Sequence, residues 1–379
     1  MQHTARWIGI IAALLILVPP NAPSQSSGNP DISVLPRFLL HSNDGEKLAD
    51  GIREFSRPDF AFEELEVAFQ AYLNPFAKGD IVFTLPGPDL EASKLGIEEV
   101  YATVLRGLPL DLNVRFGKYR VDFGKLNMMH PHAWPFITQP LSQERFFGEE
   151  GLNDLGISAS ILLPTGDVFT KLTVDLLRGS GIGEAAGIAD TTGGSPFYAT
   201  SARLTGFFPL GEFSDLEVGL SGYTGIHDPY HRDRFWYANL DAKYKYRPDA
   251  YTALVIQGEV LQNFRTAQQD REFEPMLDAH GSPETRSIRT TGVYVFTDVQ
   301  FLKLYSIGMR YDWTQSPYST SDRAQAFAVF LGYYPVEETL GLRLQYQHTR
   351  TASDAGTQGV NMIALQALFS LGPHKAHPF

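Results

Sequence analysis

The feature that most constrains the fold of this chain is an alternation of apolar and polar side chains with a period of two residues. In one segment, Leu65 and Val67 fall on one face and Glu66 falls on the other. Successive side chains of a β-strand point to opposite faces, so this pattern predicts a strand with one apolar and one polar face. The same alternation recurs in residues 214–224, 235–246, 339–349 and 361–371.

The connections between these segments differ systematically in length. Short connections rich in turn residues, such as Asn74–Lys78, Pro164–Asp167 and Arg247–Asp249, alternate with long polar ones. The long connections include, roughly, residues 41–62, 122–155, 178–197, 225–234, 263–285, 314–323 and 350–358. Tight turns on one side and long loops on the other are typical of a transmembrane barrel, whose closure leaves no unpaired strand edge in lipid.

We therefore expect an all-β fold: one transmembrane antiparallel β-barrel of about 16 strands, with short periplasmic turns and long extracellular loops. The first strand is expected near Ile32–Leu40. The even strand count places both chain ends on the short-turn side.

The N-terminus has the pattern of a secretory signal peptide. Arg6 precedes an apolar run, Trp7–Val18, which Pro19 and Pro20 end. This run is short for a membrane-spanning helix, although an uncleaved anchor is the alternative. The sequence thus predicts a signal peptide at residues 1–24 and a single barrel domain at residues 25–379, located in the outer membrane of a Gram-negative bacterium.

Composition and motifs exclude several classes of function. The chain has no Cys, so it has no disulfide framework and no thiolate metal site. A net charge of −12 argues against a nucleic-acid partner. Neither a Gly-x-Ser-x-Gly elbow nor a His-Glu-x-x-His pair occurs, and we predict that the protein is not an enzyme.

The two faces of the strands have different expected roles. The apolar face should meet lipid, and the polar face should line a lumen that is too wide for wall side chains to fill. Lumen-lining candidates include Glu66, Glu99, Asp241, Glu259, Arg310, Asp312, Arg343 and Gln345. Candidates for aromatic girdles at the membrane interfaces are Tyr244, Tyr246, Tyr305, Tyr311, Trp313, Tyr333 and Tyr334. The alternative for the lumen charges is that they pair with one another along the wall.

Residues 122–155 differ from the rest of the chain. They lack strand or helix periodicity, yet they contain Trp134, Phe136, Phe146 and Phe147. Loops of this length are usually functional or disordered, and the apolar content argues against disorder. By connection order this is the third long loop.

Two resemblances bear on this loop. Residues 115–124, Arg-Phe-Gly-Lys-Tyr-Arg-Val-Asp-Phe-Gly, resemble the Gly-Lys-Phe…Phe-Gly strand motif of phosphate-selective porins. The layout of the whole chain resembles general Gram-negative porins of 16 strands, in which the third loop folds into the barrel. The chain departs from these families in lacking a lysine ladder and in continuing past Phe369. The start of the chain, Asn29–Ser33, also looks like that of an uncharacterised group of outer-membrane proteins.

These observations predict a porin-like channel for passive diffusion of small polar or ionic solutes, narrowed by residues 122–155. The charges expected to set the field at this constriction are those of Arg115, Lys118, Arg120, Lys125, Arg145, Glu149 and Glu150. The resemblance to porins implies a possible homotrimer. Other expected partners are outer-membrane lipid and lipopolysaccharide, the barrel-assembly machinery and periplasmic chaperones.

Histidine provides the alternative function. His130 and His132 lie in the long third loop, and His227 and His231 lie in another loop on the same side of the barrel. Imidazole together with carboxylates suits Zn or Cu, so the two pairs could meet over the pore mouth of a metal-uptake barrel. The simpler interpretation is that these histidines are polar loop residues, in which case no cofactor is expected.

Overall fold

A computed structural model of the protein describes residues 30–45, 55–87, 95–179, 199–228, 233–267, 277, 280–282, 284–336, 339–354 and 356–372. Sixteen antiparallel strands pair with their sequence neighbours, and β1 pairs with β16 to close the barrel. The strands are β1 Asp31–Asn43, β2 Asp59–Asn74, β3 Ala77–Pro86, β4 Gly96–Val104, β5 Asn113–Arg120, β6 Asn153–Leu163, β7 Phe169–Leu177, β8 Ala199–Pro209, β9 Ser214–Asp228, β10 Asp233–Tyr246, β11 Ala253–Ala267, β12 Arg286–Phe301, β13 Tyr305–Ser316, β14 Ser319–Val336, β15 Leu340–Ser353 and β16 Gly356–Phe369. The predicted strand number and closure are confirmed.

The wall follows the two-residue alternation that the sequence predicts. Along β13, Ile307 and Met309 are exposed on the outer face, whereas Arg310 and Asp312 are buried on the inner face. The outer face carries large apolar side chains on every side of the ring, as expected for a surface in contact with lipid. Among the described residues, no helix is long and apolar enough to cross a bilayer.

Several predicted girdle residues lie on this outer face. Tyr246, Tyr305, Tyr311 and Tyr333 are exposed, and the rings of Tyr305 and Tyr333 stack with centroids 5.3 Å apart. Tyr334 was wrongly placed in the girdle. It follows an outward residue and therefore points inward, where its hydroxyl accepts a hydrogen bond from Arg343 Nε at 3.4 Å.

Three of the connections predicted to be long are short. The loops expected at 225–234, 314–323 and 350–358 shrink to residues 229–232, 317–318 and 354–355, because the flanking strands continue further. Strands of 14 to 18 residues, such as β14 and β15, exceed the 9–11 residues or so that cross a bilayer. Beyond the membrane neither face meets lipid, so the alternation that marks a strand disappears there.

One irregularity of the wall is relevant to the site. The register between β3 and β4 shifts between Val82 and Phe83, which leaves Glu98 as an extra residue opposite them. Such a bulge changes the face of the sheet to which a side chain points. As a result, the consecutive residues Glu98 and Glu99 are both buried, whereas their neighbours Ile97 and Val100 are exposed on the outer face. The predicted signal peptide lies outside the described residues.

Candidate functional site

Residues 121–152, here called the inserted segment, join β5 to β6 and lie inside the barrel. They form two 3-10 turns, Leu126–Met128 and Pro131–Ala133, and one short helix, α1, at Leu141–Phe147. The two ends of the segment meet, because the backbone N–H of Val121 donates to the carbonyl of Leu152 at 3.0 Å. The side-chain amide of Asn127 also donates to the backbone carbonyls of Val121 and Leu152, at 2.8 and 2.9 Å, and so links the two ends of the segment. The segment also contacts inward side chains of β15, so this connection lies within the barrel.

Aromatic burial explains why the segment folds inward. Phe123, Phe136, Phe146 and Phe147 are at most 2% exposed. Phe136 packs edge-on against Phe296 of β12, with ring centroids 5.2 Å apart. Burying each Phe contributes about 1.5–3 kcal/mol, so four of them strongly favour the lumen over a loop extended into water.

The inserted segment fills much of the space that the barrel encloses. Inward side chains around the ring, including Asn263, Asp312, Gln345 and Gln366, are 0% exposed. In a wide aqueous channel these side chains would contact water. Barrel width predicts a lumen that wall side chains do not fill, and in this structure a folded loop occupies part of that lumen.

On one side of the lumen, wall side chains bind the main chain of the inserted segment. The Glu259 carboxylate of β11 accepts hydrogen bonds from the backbone N–H groups of Lys125 and Leu126, at 3.0 and 2.7 Å. It also accepts from the side chains of Gln143 and Asn239, at 3.1 and 2.7 Å. This one buried carboxylate therefore fixes the first turn of the segment and α1 together.

A second such contact lies on β13 and β15. The Arg310 guanidinium is fully buried, donates to the backbone carbonyl and hydroxyl of Thr138, and lies 4.4 Å above the ring of Phe136. The Gln345 side-chain oxygen accepts from the backbone N–H of Ile137 at 2.7 Å. Buried main-chain groups at the middle of the segment thus have partners on the wall.

Along β7 to β9, charged side chains of the segment meet charged side chains of the wall. Asp122 binds Lys171 of β7 at 2.7 Å and Arg203 of β8 at 3.2 Å. Lys125 Nζ lies 2.7 Å from Glu217 of β9. Burial by itself would raise the pKa of Asp122, but Lys171 and Arg203 outweigh it and hold that pKa below its usual value of 3.8.

The most concentrated group of titratable side chains lies between the segment and strands β2 and β4. Glu66 Oε2 is 3.3 Å from Nδ1 of His130 and 3.1 Å from Nδ1 of His132. The other nitrogen of His130, Nε2, is 3.3 Å from Glu99, and Arg120 pairs with Glu98 beside it. We call Glu66, Glu98, Glu99, His130 and His132 the acid-histidine cluster.

The carboxylates of this cluster stabilise the positively charged form of His130 on the inserted segment. Burial would lower the pKa of His130, but the carboxylates of Glu66 and Glu98 reverse this effect and raise it to about 10. The two imidazole rings stack, with centroids 5.5 Å apart and planes at 22°. Pro131 stands between them, and its 3-10 turn turns both rings towards Glu66.

The residues predicted to form one charged constriction lie at separate places. Arg120 and Lys125 are buried in ion pairs on different walls, and Arg145 pairs with Asp322 at 3.1 Å. Glu149 and Glu150 are exposed. Three of these seven charges are therefore in ion pairs, which is the alternative that the sequence left open.

Two members of that predicted set lie elsewhere on β5. Arg115 lies over the rings of Tyr101 and Tyr119, at 4.7 and 5.3 Å, and lines a cavity of about 200 Å³ that is also bordered by Asp122 and Lys171. Lys118 was wrongly placed in the lumen. It pairs with the outward-facing Val100, and its Nζ donates to the carbonyl of Ile97 at 2.7 Å, because the alternation of β5 turns it to the outer face.

The predicted meeting of two histidine pairs over the pore mouth does not match the described residues. His130 and His132 face Glu66 of β2, whereas the backbone of His227 lies in β9, across the ring from β2. His231 lies outside the described residues. The partner of the His130–His132 pair is thus a wall carboxylate.

Some of these contacts had no clear signal in the sequence. Glu66, Glu259 and Arg310 are recognisable as lumen residues from alternation, but their partners on the segment are not. Glu98 breaks the alternation, and only the bulge in β4 explains its inward position. The glycine at 124 has a φ of +67°, and a Cβ there would lie 2.3 Å from Glu259, so only glycine allows this close approach.

Comparisons with known proteins agree with the fold. No family model matches the chain. An uncharacterised protein of Aquifex aeolicus is 27% identical over 346 residues, which cover 84% of this chain and 70% of that protein. Among solved structures, an anion-selective porin from Comamonas acidovorans has a TM-score of 0.58 at 10% identity, covering 91% of this chain and all of that one. The outer membrane channel DcaP of Acinetobacter baumannii has a TM-score of 0.57 at 14% identity, covering 90% and 97%. The chain thus has the fold of outer-membrane porins.

Proposed function

We propose that this protein is a porin-like channel in the outer membrane of a Gram-negative bacterium, through which small polar or ionic solutes diffuse passively. The observation that carries the proposal is the inserted segment, a folded unit held inside a closed 16-stranded barrel. The similar solved structures include a channel and an anion-selective porin, which supports the same function.

In this proposal the inserted segment is the constriction. Its close packing against the wall leaves little room for water, so we expect a small conductance from the intact protein. Charged groups that remain exposed, Glu149 and Glu150, would act on solutes entering from the long-loop end. Absence of enzyme activity and assembly as a homotrimer remain predictions. The comparisons give no support to metal uptake as the function.

Planar-bilayer recording tests the proposal. The backbone hydrogen bond between Val121 and Leu152 marks where the segment can be removed, so residues 122–151 would be replaced by Asn-Gly, a sequence that suits a tight hairpin. We expect small conductance steps from the intact barrel and steps several-fold larger from the shortened one. Circular dichroism and heat-modifiable gel migration would confirm that both are folded. Absence of steps from a folded shortened barrel would refute the channel.

A further inference from the structure

We propose that Glu66, His130 and His132 form a binding site for one divalent transition-metal ion, which links the inserted segment to strand β2. Each of the three side chains offers one ligand atom, and these atoms all lie within 4.8 Å of one another. The site concerns binding alone and does not depend on the proposed channel function.

The distances between the ligand atoms suit a metal. Zn²⁺ binds imidazole nitrogen and carboxylate oxygen at about 2.0–2.2 Å, so neighbouring ligands of a tetrahedral site lie about 3.3–3.5 Å apart. Glu66 Oε2 lies 3.3 and 3.1 Å from the two imidazole nitrogens. The spacing is therefore close to that of two edges of such a tetrahedron.

The central atoms are held together by ion pairs at ligand-like distances. The Glu66 side chain is 7% exposed, and its Oε2 lies 3.3 and 3.1 Å from Nδ1 of His130 and His132. Within the described part of the chain, neither Glu66 Oε2 nor His130 Nδ1 makes a well-directed hydrogen bond. An ion at the point where these atoms converge would bind the carboxylate oxygen and the imidazole nitrogens directly.

The surroundings also resemble the outer shell of a metal site. Ligating histidines usually donate their second ring N–H to a carboxylate, and Nε2 of His130 lies 3.3 Å from Glu99. Arg343 of β15 donates a hydrogen bond to the backbone carbonyl of His132, which positions the second imidazole. Two imidazoles and one carboxylate suit Zn²⁺, Cu²⁺, Ni²⁺ or Co²⁺ better than Mg²⁺ or Ca²⁺.

Local charge also favours a cation. Glu66, Glu98 and Glu99 are each at most 5% exposed and converge on the two histidines, whereas Arg120 pairs with Glu98. Glu98 Oε1 lies 3.5 Å from Nδ1 of His130, but its pairing with Arg120 competes with any role as a fourth ligand. The proposed site therefore has three protein ligands, with the fourth position left for water, which is the ligand count of zinc sites that keep an open position.

Calorimetric titration of the intact, untagged barrel with Zn²⁺ after chelator treatment tests the site. We expect one Zn²⁺ per chain, and visible absorption of a four-coordinate complex when Co²⁺ is used instead. The double variant His130→Ala with His132→Ala should abolish both signals. Glu66→Gln, which keeps the size of the side chain, should weaken binding at least tenfold, and Glu99→Gln should weaken it about 10- to 100-fold through the orientation of His130.

The matched control is His280→Ala with His348→Ala, which removes two exposed histidines and should leave binding unchanged. Absence of Zn²⁺ and Co²⁺ binding by the folded wild-type barrel would overturn the proposal, and the cluster would then be a set of proton-linked ion pairs. Equal binding by Glu66→Gln, or by a folded His130/His132 variant, would overturn it as well. Conductance is not measured here, so failure of this site and failure of the channel are separate results.

Discussion

The inserted segment is held by different chemistry on the two sides of the lumen. Towards β11–β15, wall side chains mainly bind its main chain, as when Arg310 donates to the carbonyl of Thr138, and one ion pair, Arg145 with Asp322, is added there. Towards β2–β9, its charged side chains meet charged wall side chains, as when Asp122 binds Lys171. We call the first the main-chain side and the second the ion-pair side.

The two kinds of contact should have different effects on the inserted segment. Hydrogen bonds to backbone N–H and C=O groups do not depend on which side chains the segment carries. They persist as long as the wall residue keeps its protonation state. Contacts between opposite charges depend on the protonation of both partners. The main-chain side should therefore fix where the segment lies, and the ion-pair side should determine how it responds to pH and ions.

The largest effect is expected from Arg310→Ala on the main-chain side. Arg310 is fully buried with Asp312, and its Nε lies 2.9 Å from the Asp312 carboxylate. Removing one partner of a buried ion pair leaves an uncompensated charge, which costs about 3–5 kcal/mol. The free energy of unfolding in urea would measure this loss.

The double variant Arg310→Ala with Asp312→Ala is the control for that experiment. It removes the orphaned carboxylate, so part of the stability should return even though the bonds to Thr138 remain lost. A double variant as unstable as the single one would show that the bonds to the segment, and not the buried charge, dominate the effect.

A smaller effect on the same side is expected from Gly124→Ala. Both Gly124 and Gly166 have positive φ, +67° and +71°, so alanine costs about 1–2 kcal/mol in backbone strain at either position. At Gly124 the new Cβ would also lie 2.3 Å from Oε2 of Glu259, whereas at Gly166 nothing lies within 4 Å. Unfolding free energies should therefore show a larger loss for Gly124→Ala, and only this variant should change conductance. Equal losses would contradict the close packing of Glu259.

The contrast between the two sides also shows what the sequence could predict. Alternation determines which face of a strand is apolar, so it correctly places Arg310 and Glu259 in the lumen and predicts the ring of 16 strands. It fails at Glu98, where a bulge shifts the register, and at Lys118, whose charge suggested a lumen position although β5 turns it outward. Contacts such as Gln345 with Ile137 join residues far apart in sequence, and no local pattern encodes them.

On the ion-pair side, acid should loosen the start of the segment. The native pKa of Asp122 is below its value of 3.8 in the unfolded chain, so the folded state binds fewer protons. Its contribution is present above about pH 3.8 and is lost as pH falls through the lower native pKa, with a slope of at most ~1.4 kcal/mol per pH unit for one proton. Protease protection of the segment, followed from neutral to acid pH, would measure it. Asp122→Asn should flatten this part of the profile, and an unchanged profile would exclude Asp122 as the titrating group.

The smallest effect is expected from Lys118→Met. This variant tests whether a lysine must lie inside the barrel, and not only be charged, to influence ion passage. The Lys118 ammonium binds only the Ile97 carbonyl among its described contacts, on the outer face, so its removal should change stability by about 0.5 kcal/mol or less and leave conductance unchanged. Lys125→Met is the matched comparison, because it deletes the same charge inside the barrel and leaves the Glu217 carboxylate, 13% exposed, without this partner. That variant should shift the channel towards cations, measured as the reversal potential in a salt gradient. If Lys118→Met shifted the potential as much as Lys125→Met, the assignment of Lys118 to the outer face would be wrong.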